Sequence, residues 1–390
     1  METKKIVEKL ARIEDKLNSD IFVEREKEVR GVPLAFIANT NILLLGDPGV
    51  AKSLIATSWA QHVEGANYFE WLMTPYTTPD EIAGHFSFAE MQNDKYMRKT
   101  QNTLCEAHFA LLDEFWNCNG GAINFLLPLM NERIYYNDNS RIKAPLLTLI
   151  GASNQLPEED DHLEAALDRF VLKFNVETIK EKNNWIIMAE RFLENARKPR
   201  DISLKITLDE IRHLQSKMPE VKVSRDIIIK LNQIQSDLQK ENILISPRVF
   251  NNCLKILQAS ALLAGRFEVE HIDFISLRNV MWRNPEDESK VFRAILKRTS
   301  PERQLLREQL DNATELYREF VDIGTDDSTE SISRVIGIIQ SLKKAREKMV
   351  KIKGDLTKEN PVYMEVEKGI TKVNEYIKAL AASDPAGNLT

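Results

Sequence analysis

The run Gly46, Asp47, Pro48, Gly49, Val50, Ala51, Lys52, Ser53, Leu54 is where residue type and spacing carry the most specific chemistry. It fits the phosphate-cradling pattern G-x-x-x-x-G-K-[S/T] at every fixed position but one, since Ala51 stands where a second glycine is usual. Gly46 and Gly49 let the loop curl so that successive backbone N–H groups face an anion. The positive end of a following helix, whose pattern starts at Leu54, adds to the same site. Lys52 can reach the β- and γ-phosphates of a nucleoside triphosphate, and the Ser53 hydroxyl can ligate Mg2+. The chemistry predicted is phosphoryl transfer.

Other runs supply what such a reaction needs. Phe109–Leu112 is an apolar strand ending in Asp113 and Glu114. One carboxylate there can hold Mg2+ and the other can polarise an attacking water. A later apolar run closes on Gly151-Ala152-Ser153-Asn154, and the Asn154 amide suits hydrogen bonding to that water or to the γ-phosphate. Arg169, in Ala165-Ala166-Leu167-Asp168-Arg169-Phe170, can clamp a γ-phosphate bidentately, including that of a neighbouring subunit. Ser246-Pro247-Arg248 reads as a helix start capped by Ser246. The dipole disfavours a cation in that first turn, so Arg248 points to another use.

These residues need a parallel sheet to hold them. Asn41–Leu45, Tyr68–Met73, Phe109–Leu112 and Leu146–Ile150 are short apolar runs alternating with helical patterns, which predicts a three-layer α/β domain. Ile6, Leu10, Ile13 and Leu17 predict a helix ending at Asn18-Ser19-Asp20. From Ile179 to Asn284 the pattern is wholly helical. After Pro285 come three helical segments, two of them with clear seams (Ile332, Val335, Ile339, Leu342, Met349 with Arg346 intruding; Tyr363, Val366, Ile370, Val373, Ile377, Leu380). With Leu305–Phe320 they predict an antiparallel, coiled-coil-like three-helix bundle joined by linkers at Asp322–Thr329 and Thr357–Pro361. The expected domains are residues 1–174, 175–284 and 285–390.

The chain has 390 residues and a net charge of -6, with 43% hydrophobic and 29% charged residues. This is a globular composition, and it argues against wholesale disorder and against a surface devoted to nucleic acid. Residues 301–390 hold 14 Lys+Arg against 16 Asp+Glu, so the C-terminal region is not a polybasic arm and a nucleic-acid partner is not expected. The start resembles no signal peptide, and no apolar run approaches a membrane span. Cys105, Cys118 and Cys253 form no C-x-x-C pair, and the six histidines have no metal-ligand spacing. Free thiols in the cytoplasm are expected. Trp71, Trp116, Trp185 and Trp282 are expected to pack in the core.

In this order the motifs resemble those of AAA+ P-loop ATPases of the MoxR family, and among these the RavA subgroup. The runs are Phe22-Val23-Glu24-Arg25-Glu26, Gly46–Ser53 with its Ala51, Leu72-Met73-Thr74 with Thr78-Pro79-Asp80-Glu81 and Gly84, and Leu111-Leu112-Asp113-Glu114-Phe115-Trp116. Asn131-Glu132-Arg133, Ala152–Glu158, Leu167-Asp168-Arg169-Phe170, Ser246-Pro247-Arg248, Gln258-Ala259-Ser260-Ala261 and Gly265-Arg266 follow. The resemblance implies an α/β AAA+ core with an all-α lid, binding ATP and Mg2+ between the subunits of a ring, usually a hexamer. Lys52 and Ser53 would be Walker A, Asp113 and Glu114 Walker B, Asn154 sensor 1 and Arg248 sensor 2. Arg169 would be an arginine finger acting in trans, with Arg133 a second candidate at the subunit interface. The first run would lie near the adenine, Gly84–Cys105 would be an insertion in the second helix, and Tyr135–Arg141 a hairpin. A chaperone-like action on a protein client is implied, often with a partner bearing a von Willebrand factor A domain. The helical pattern after Pro285 departs from RavA, whose β-rich insertion docks an inducible lysine decarboxylase.

Overall fold

The computed structural model describes residues 2–157, 161–197, 201–323, 329–356 and 361–382. Glu158 and the linker positions 324–328 and 357–360 lie outside the described residues. The chain divides into two compact units, Met1–Val291 and Phe292–Thr390.

The first unit is built on five strands, β1 (Asn41–Leu45), β2 (Tyr68–Leu72), β3 (Phe109–Asp113), β4 (Thr148–Ser153) and β5 (Phe170–Asn175). All pair in parallel in the order β2-β3-β4-β1-β5. Four of the strands lie where the apolar runs predict them. The fifth, β5, completes the edge beside β1. β1 and β4 are buried along their whole length, as parallel strands covered by helices must be. Helix α1 (Glu2–Asp20) buries Ile6, Leu10, Ile13 and Leu17 on one face. Helix α2 (Glu26–Ala38) packs on β1 and β5, and α3 (Lys52–Gln61) follows the phosphate loop onto β3 and β4. Helix α4 (Gly120–Glu132) starts from Asn119, whose side chain accepts from Ala122 N. An antiparallel hairpin, Ile134–Asn137 with Ser140–Lys143, sits where the Tyr135–Arg141 hairpin is expected. Between Gly84 and Cys105 the chain forms a short helix, Phe88–Met91, an isolated bridge between Phe86 and Arg98, and the start of a 3-10 turn, Leu104–Glu106.

The same unit continues through α5 (Lys182–Arg197), α6 (Leu208–Lys217), α7 (Arg225–Lys240) and α8 (Pro247–Leu263). Thr207, Ser224 and Ser246 cap the last three through their side-chain oxygens, and Pro247 occupies the first turn of α8, where a missing N–H costs nothing. The region is not wholly helical as its pattern suggested. Ile206–Thr207 pairs in parallel with Val63–Glu64, two residues being too few to register as a period.

The second unit holds α9 (Pro301–Ile323), α10 (Thr329–Gly354) and α11 (Pro361–Ala382), packed on one another around Leu306, Ala313, Ile339, Leu342, Met349, Val366 and Val373. A fourth helix, Glu288–Thr299, precedes them and carries the division between the units. The seam of α10 runs through buried Ala345, which leaves Arg346 outside the core.

Candidate functional site

Three strand ends and one loop converge. Gly46 N donates to Ser153 O at 3.1 Å and Val176 N to Leu45 O at 2.7 Å, so the loop leaves β1 pinned between its two neighbouring strands. A Cβ on Gly46 would lie 2.2 Å from the Val176 carbonyl oxygen, so no other residue fits there. Ala51, the departure from the loop pattern, adopts φ 71 and ψ 26, the left-handed conformation that a glycine takes without strain.

Lys52 is buried, and its ammonium donates to Gly46 O at 2.5 Å, Asp47 O at 3.0 Å and Asn154 Oδ1 at 2.9 Å. Burial lowers its pKa, while Asp113, Glu114 and Asp47 pull the other way. Ser53 Oγ donates to Asp113 Oδ2 at 2.7 Å, so these two residues present adjacent oxygens. Among the described residues no group of three or more His, Cys, Asp and Glu side chains could hold a metal. One hydroxyl and one carboxylate instead suit Mg2+, which takes few protein oxygens and completes its shell with phosphates and water. Asn154 Nδ2 donates to Glu114 Oε1 at 3.1 Å, closing a chain Lys52–Asn154–Glu114. Glu114 holds φ 51 and ψ 43, a strained backbone for a carboxylate residue, immediately after β3.

Beside the loop lies a cleft of about 400 Å³ lined by Phe22, Val23, Val50, Leu54, Trp185 and Met188. Trp185, expected in the core, is 49% exposed, and its Nε1 donates to Ile179 O at 3.2 Å. The sequence reading missed Trp185, Met188 and Phe192; their i, i+3, i+7 spacing was the available signal.

The arginines lie elsewhere. Asn41 opens β1, pairs with Phe170, and donates to Arg169 O at 3.0 Å. At about 3.3 Å per residue, Arg169 is therefore roughly 13 Å along the strands from the phosphate loop at the other sheet edge. Arg248 joins it there, 4.0 Å from Asp168, and both arginines line a cavity of about 350 Å³ with Lys255. Arg169 Nη1 donates to Ala165 O, and its Nε is buried without a partner among the described residues. Burial, then the nearby Arg248, lowers the Arg169 pKa.

Arg133 is turned into its own chain. It is 6% exposed, and all five of its N–H groups meet acceptors in its own chain: Asn39 Oδ1 and O, Asn41 Oδ1, Met130 O and Leu147 O. Burial brings its pKa down to about 10. Its sequence position near the expected interface misled because it is the left-handed cap of α4, turned inward. Arg133→Met should orphan several buried acceptors at about 1–3 kcal/mol each. A loss of at least about 3 kcal/mol, read as a melting temperature lowered by roughly 6–12 °C, is expected in differential scanning calorimetry. A melting curve unchanged by the substitution would contradict the structural role.

Residues 8–216 match the family model described as the MoxR domain in the MoxR-vWA-beta-propeller ternary systems. The chain belongs to the MoxR family of AAA+ ATPases. Residues 226–295 match the model of an AAA lid domain. An uncharacterized protein of Methanocaldococcus jannaschii is 34% identical over 382 residues, 96% of this MoxR chain and 98% of its own length. A second from the same organism is 36% identical over 320 residues, 81% of this chain and 83% of its own. The chaperone MoxR1 of Mycobacterium tuberculosis is 28% identical over 160 residues, 40% of this chain and 41% of its own. A crystal structure described as a candidate ATPase from Cytophaga hutchinsonii shares the fold, with TM-score 0.61 and 17% identity over 76% of this chain and 96% of that one. The α/β core, helical lid and C-terminal helices are thus those of an AAA+ protein. Among the described residues no helix is long and apolar enough to cross a membrane.

Proposed function

We propose that this MoxR-family chain hydrolyses ATP with Mg2+ in a ring, hexameric as in its family, and uses the cycle to remodel or activate a protein client. The observation that carries the reading is the meeting of three sequence runs at one sheet edge, through Ser53–Asp113 and Lys52–Asn154–Glu114. Bound at Ser53 and Asp113, Mg2+ would neutralise charge developing on the phosphates. Lys52 holds the β- and γ-phosphates, Glu114 accepts a proton from the attacking water, and Asn154 orients that carboxylate.

Arg169 and Arg248 are too far from their own phosphate loop to touch its nucleotide, and together they form a cationic face for a neighbour's γ-phosphate. Both therefore act in trans. A partner with a von Willebrand factor A domain is supported by the systems for which the matching MoxR model is described. The RavA-like position within the family rests on Ala51 and the segments around Thr78–Gly84. A cytoplasmic site and domain boundaries near residues 174 and 284 complete the proposal.

Lys52→Ala is the first test. It removes the ammonium that meets both loop carbonyls and Asn154, and MgATP affinity measured by calorimetry should fall at least about a hundredfold, the scale expected of one buried charge–phosphate contact. Wild-type affinity in this variant would remove the nucleotide site from the phosphate loop.

A further inference from the structure

Arg25 is 6% exposed, yet among the described residues no carboxylate pairs with it. It meets three carbonyl oxygens instead: Val50 O through Nε at 3.3 Å, Glu24 O through Nη1 at 2.7 Å, and Glu177 O through Nη2 at 2.6 Å. A buried unpaired guanidinium is costly, and an apolar side chain would fill the same space more cheaply. What the charge does here is local. Val50 belongs to the phosphate loop, and the peptide joining it to Ala51 is planar. Pinning the Val50 carbonyl toward Arg25 turns the Ala51 N–H to the opposite side and holds Ala51 at its strained φ of 71. The loop glycine that this chain lacks at position 51 is thus compensated by Arg25, through Val50, 25 residues away in the sequence.

Glu24 works on the other wall. It sits at φ 58, a region that residues other than glycine rarely occupy. Its carboxylate accepts from Lys180 N at 2.9 Å, Glu181 N at 3.1 Å and Asn184 Nδ2 at 2.8 Å, at the N-terminal end of α5. Burial acts to raise its pKa, but these donors outweigh it and hold the carboxyl below its ordinary value. Helix α5 buries none of its side chains, so packing alone does not fix it. It nevertheless carries Trp185, Met188 and Phe192 to the cleft beside the phosphate loop. Arg191 donating to Asn18 O at 2.7 Å and Asn195 Nδ2 to Asp20 O at 2.8 Å tie it to the same upstream segment.

We propose that Glu24 and Arg25 are paired positioning residues for the nucleotide: Arg25 sets the phosphate loop, and Glu24 sets the helix that walls the base cleft. The proposal rests on the nucleotide reading of the phosphate loop and adds a division of labour between two adjacent residues. It is tested by calorimetry on the full chain with two probes, MgATP and inorganic tripolyphosphate, the second of which has no base. Glu24→Gly removes the carboxylate and relieves the backbone. It should weaken MgATP about tenfold and leave tripolyphosphate unchanged, the scale expected for losing a few charge-assisted hydrogen bonds. Arg25→Met should weaken both probes by a similar factor of about ten. Arg25→Lys keeps the charge but cannot span three carbonyls, and should stay at least about fivefold weaker for both. If Arg25→Met does not fold, the lysine variant alone decides.

Equal losses of both probes in Glu24→Gly, wild-type MgATP affinity there, or full recovery of binding in Arg25→Lys would each overturn the proposal. General destabilisation cannot separate the two probes, so the split reports positioning. Failure of the underlying reading looks different: tripolyphosphate would bind the wild type and Lys52→Ala equally, or bind neither.

Discussion

Glu114→Gln should bind MgATP as tightly as the wild-type chain and turn it over about a thousandfold more slowly, within the range expected of a lost general base. Binding survives because the contacts that hold the triphosphate belong to other residues. Lys52 keeps its three acceptors, and Ser53 keeps Asp113 at 2.7 Å. The amide is isosteric and can still accept from Asn154 Nδ2, so the Lys52–Asn154–Glu114 chain keeps its shape. What disappears is the proton acceptor at the end of β3. The left-handed backbone at Glu114, φ 51, turns its side chain out of the strand. A strained conformation at this position makes mechanistic sense only if the side chain has to point somewhere a regular strand would not send it. The experiment is a paired measurement, calorimetric affinity and phosphate release on the same preparation. Wild-type release in Glu114→Gln would sink the base assignment, and a parallel collapse of affinity would show that Glu114 holds nucleotide instead.

The phosphate-site half of this arrangement was legible in the sequence because each part is a contiguous run. Gly46–Ser53 carries the loop and its reactive side chains in eight residues, directly after β1, and Phe109–Glu114 carries a strand, its end and both carboxylates in six. The apolar strands were legible for the same reason, since β1 and β4 are buried along their whole length and need no alternation. The cleft beside the loop was legible only on its Phe22–Glu26 side, through the resemblance. It joins Phe22 and Val23 to Trp185 and Met188, and spacing carries no information across some 160 residues. Trp185 reads as a core tryptophan until α5 is seen to bury nothing. Arg133 failed the opposite way: its motif is visible, but not the inward cap that spends all its donors on its own chain. In α10 a seam through Arg346 and one through Ala345 differ by one residue, and only packing chooses between them.

The placement of Arg169 and Arg248 leads to a result that single variants cannot give. Arg169→Ala and Lys52→Ala should each be nearly inactive alone, and an equimolar mixture should recover activity. Lys52→Ala subunits bind nucleotide at least about a hundredfold more weakly but still present Arg169; Arg169→Ala subunits bind nucleotide but present no arginine. Only an interface pairing the intact loop of the second with the intact arginine of the first is complete, which random mixing yields at about a quarter of interfaces. An arginine delivered in trans to a phosphoryl group is worth about 10³–10⁵ in rate, so even that fraction stands far above either parent. If Arg169 served its own nucleotide, both parents and every mixed interface would lack one needed group, and mixing would recover nothing. The roughly 13 Å of strand between Asn41 and the loop after Leu45 argues against that geometry. Arg248→Ala should complement Lys52→Ala in the same way, because Arg248 shares a cavity with Arg169 and lies 4.0 Å from Asp168. Complementation by one arginine and not the other would separate their roles. No recovery by either, with subunit exchange verified by fluorescence transfer, would return the pair to structural roles, Arg248 beside Asp168 and Arg169 on the Ala165 carbonyl.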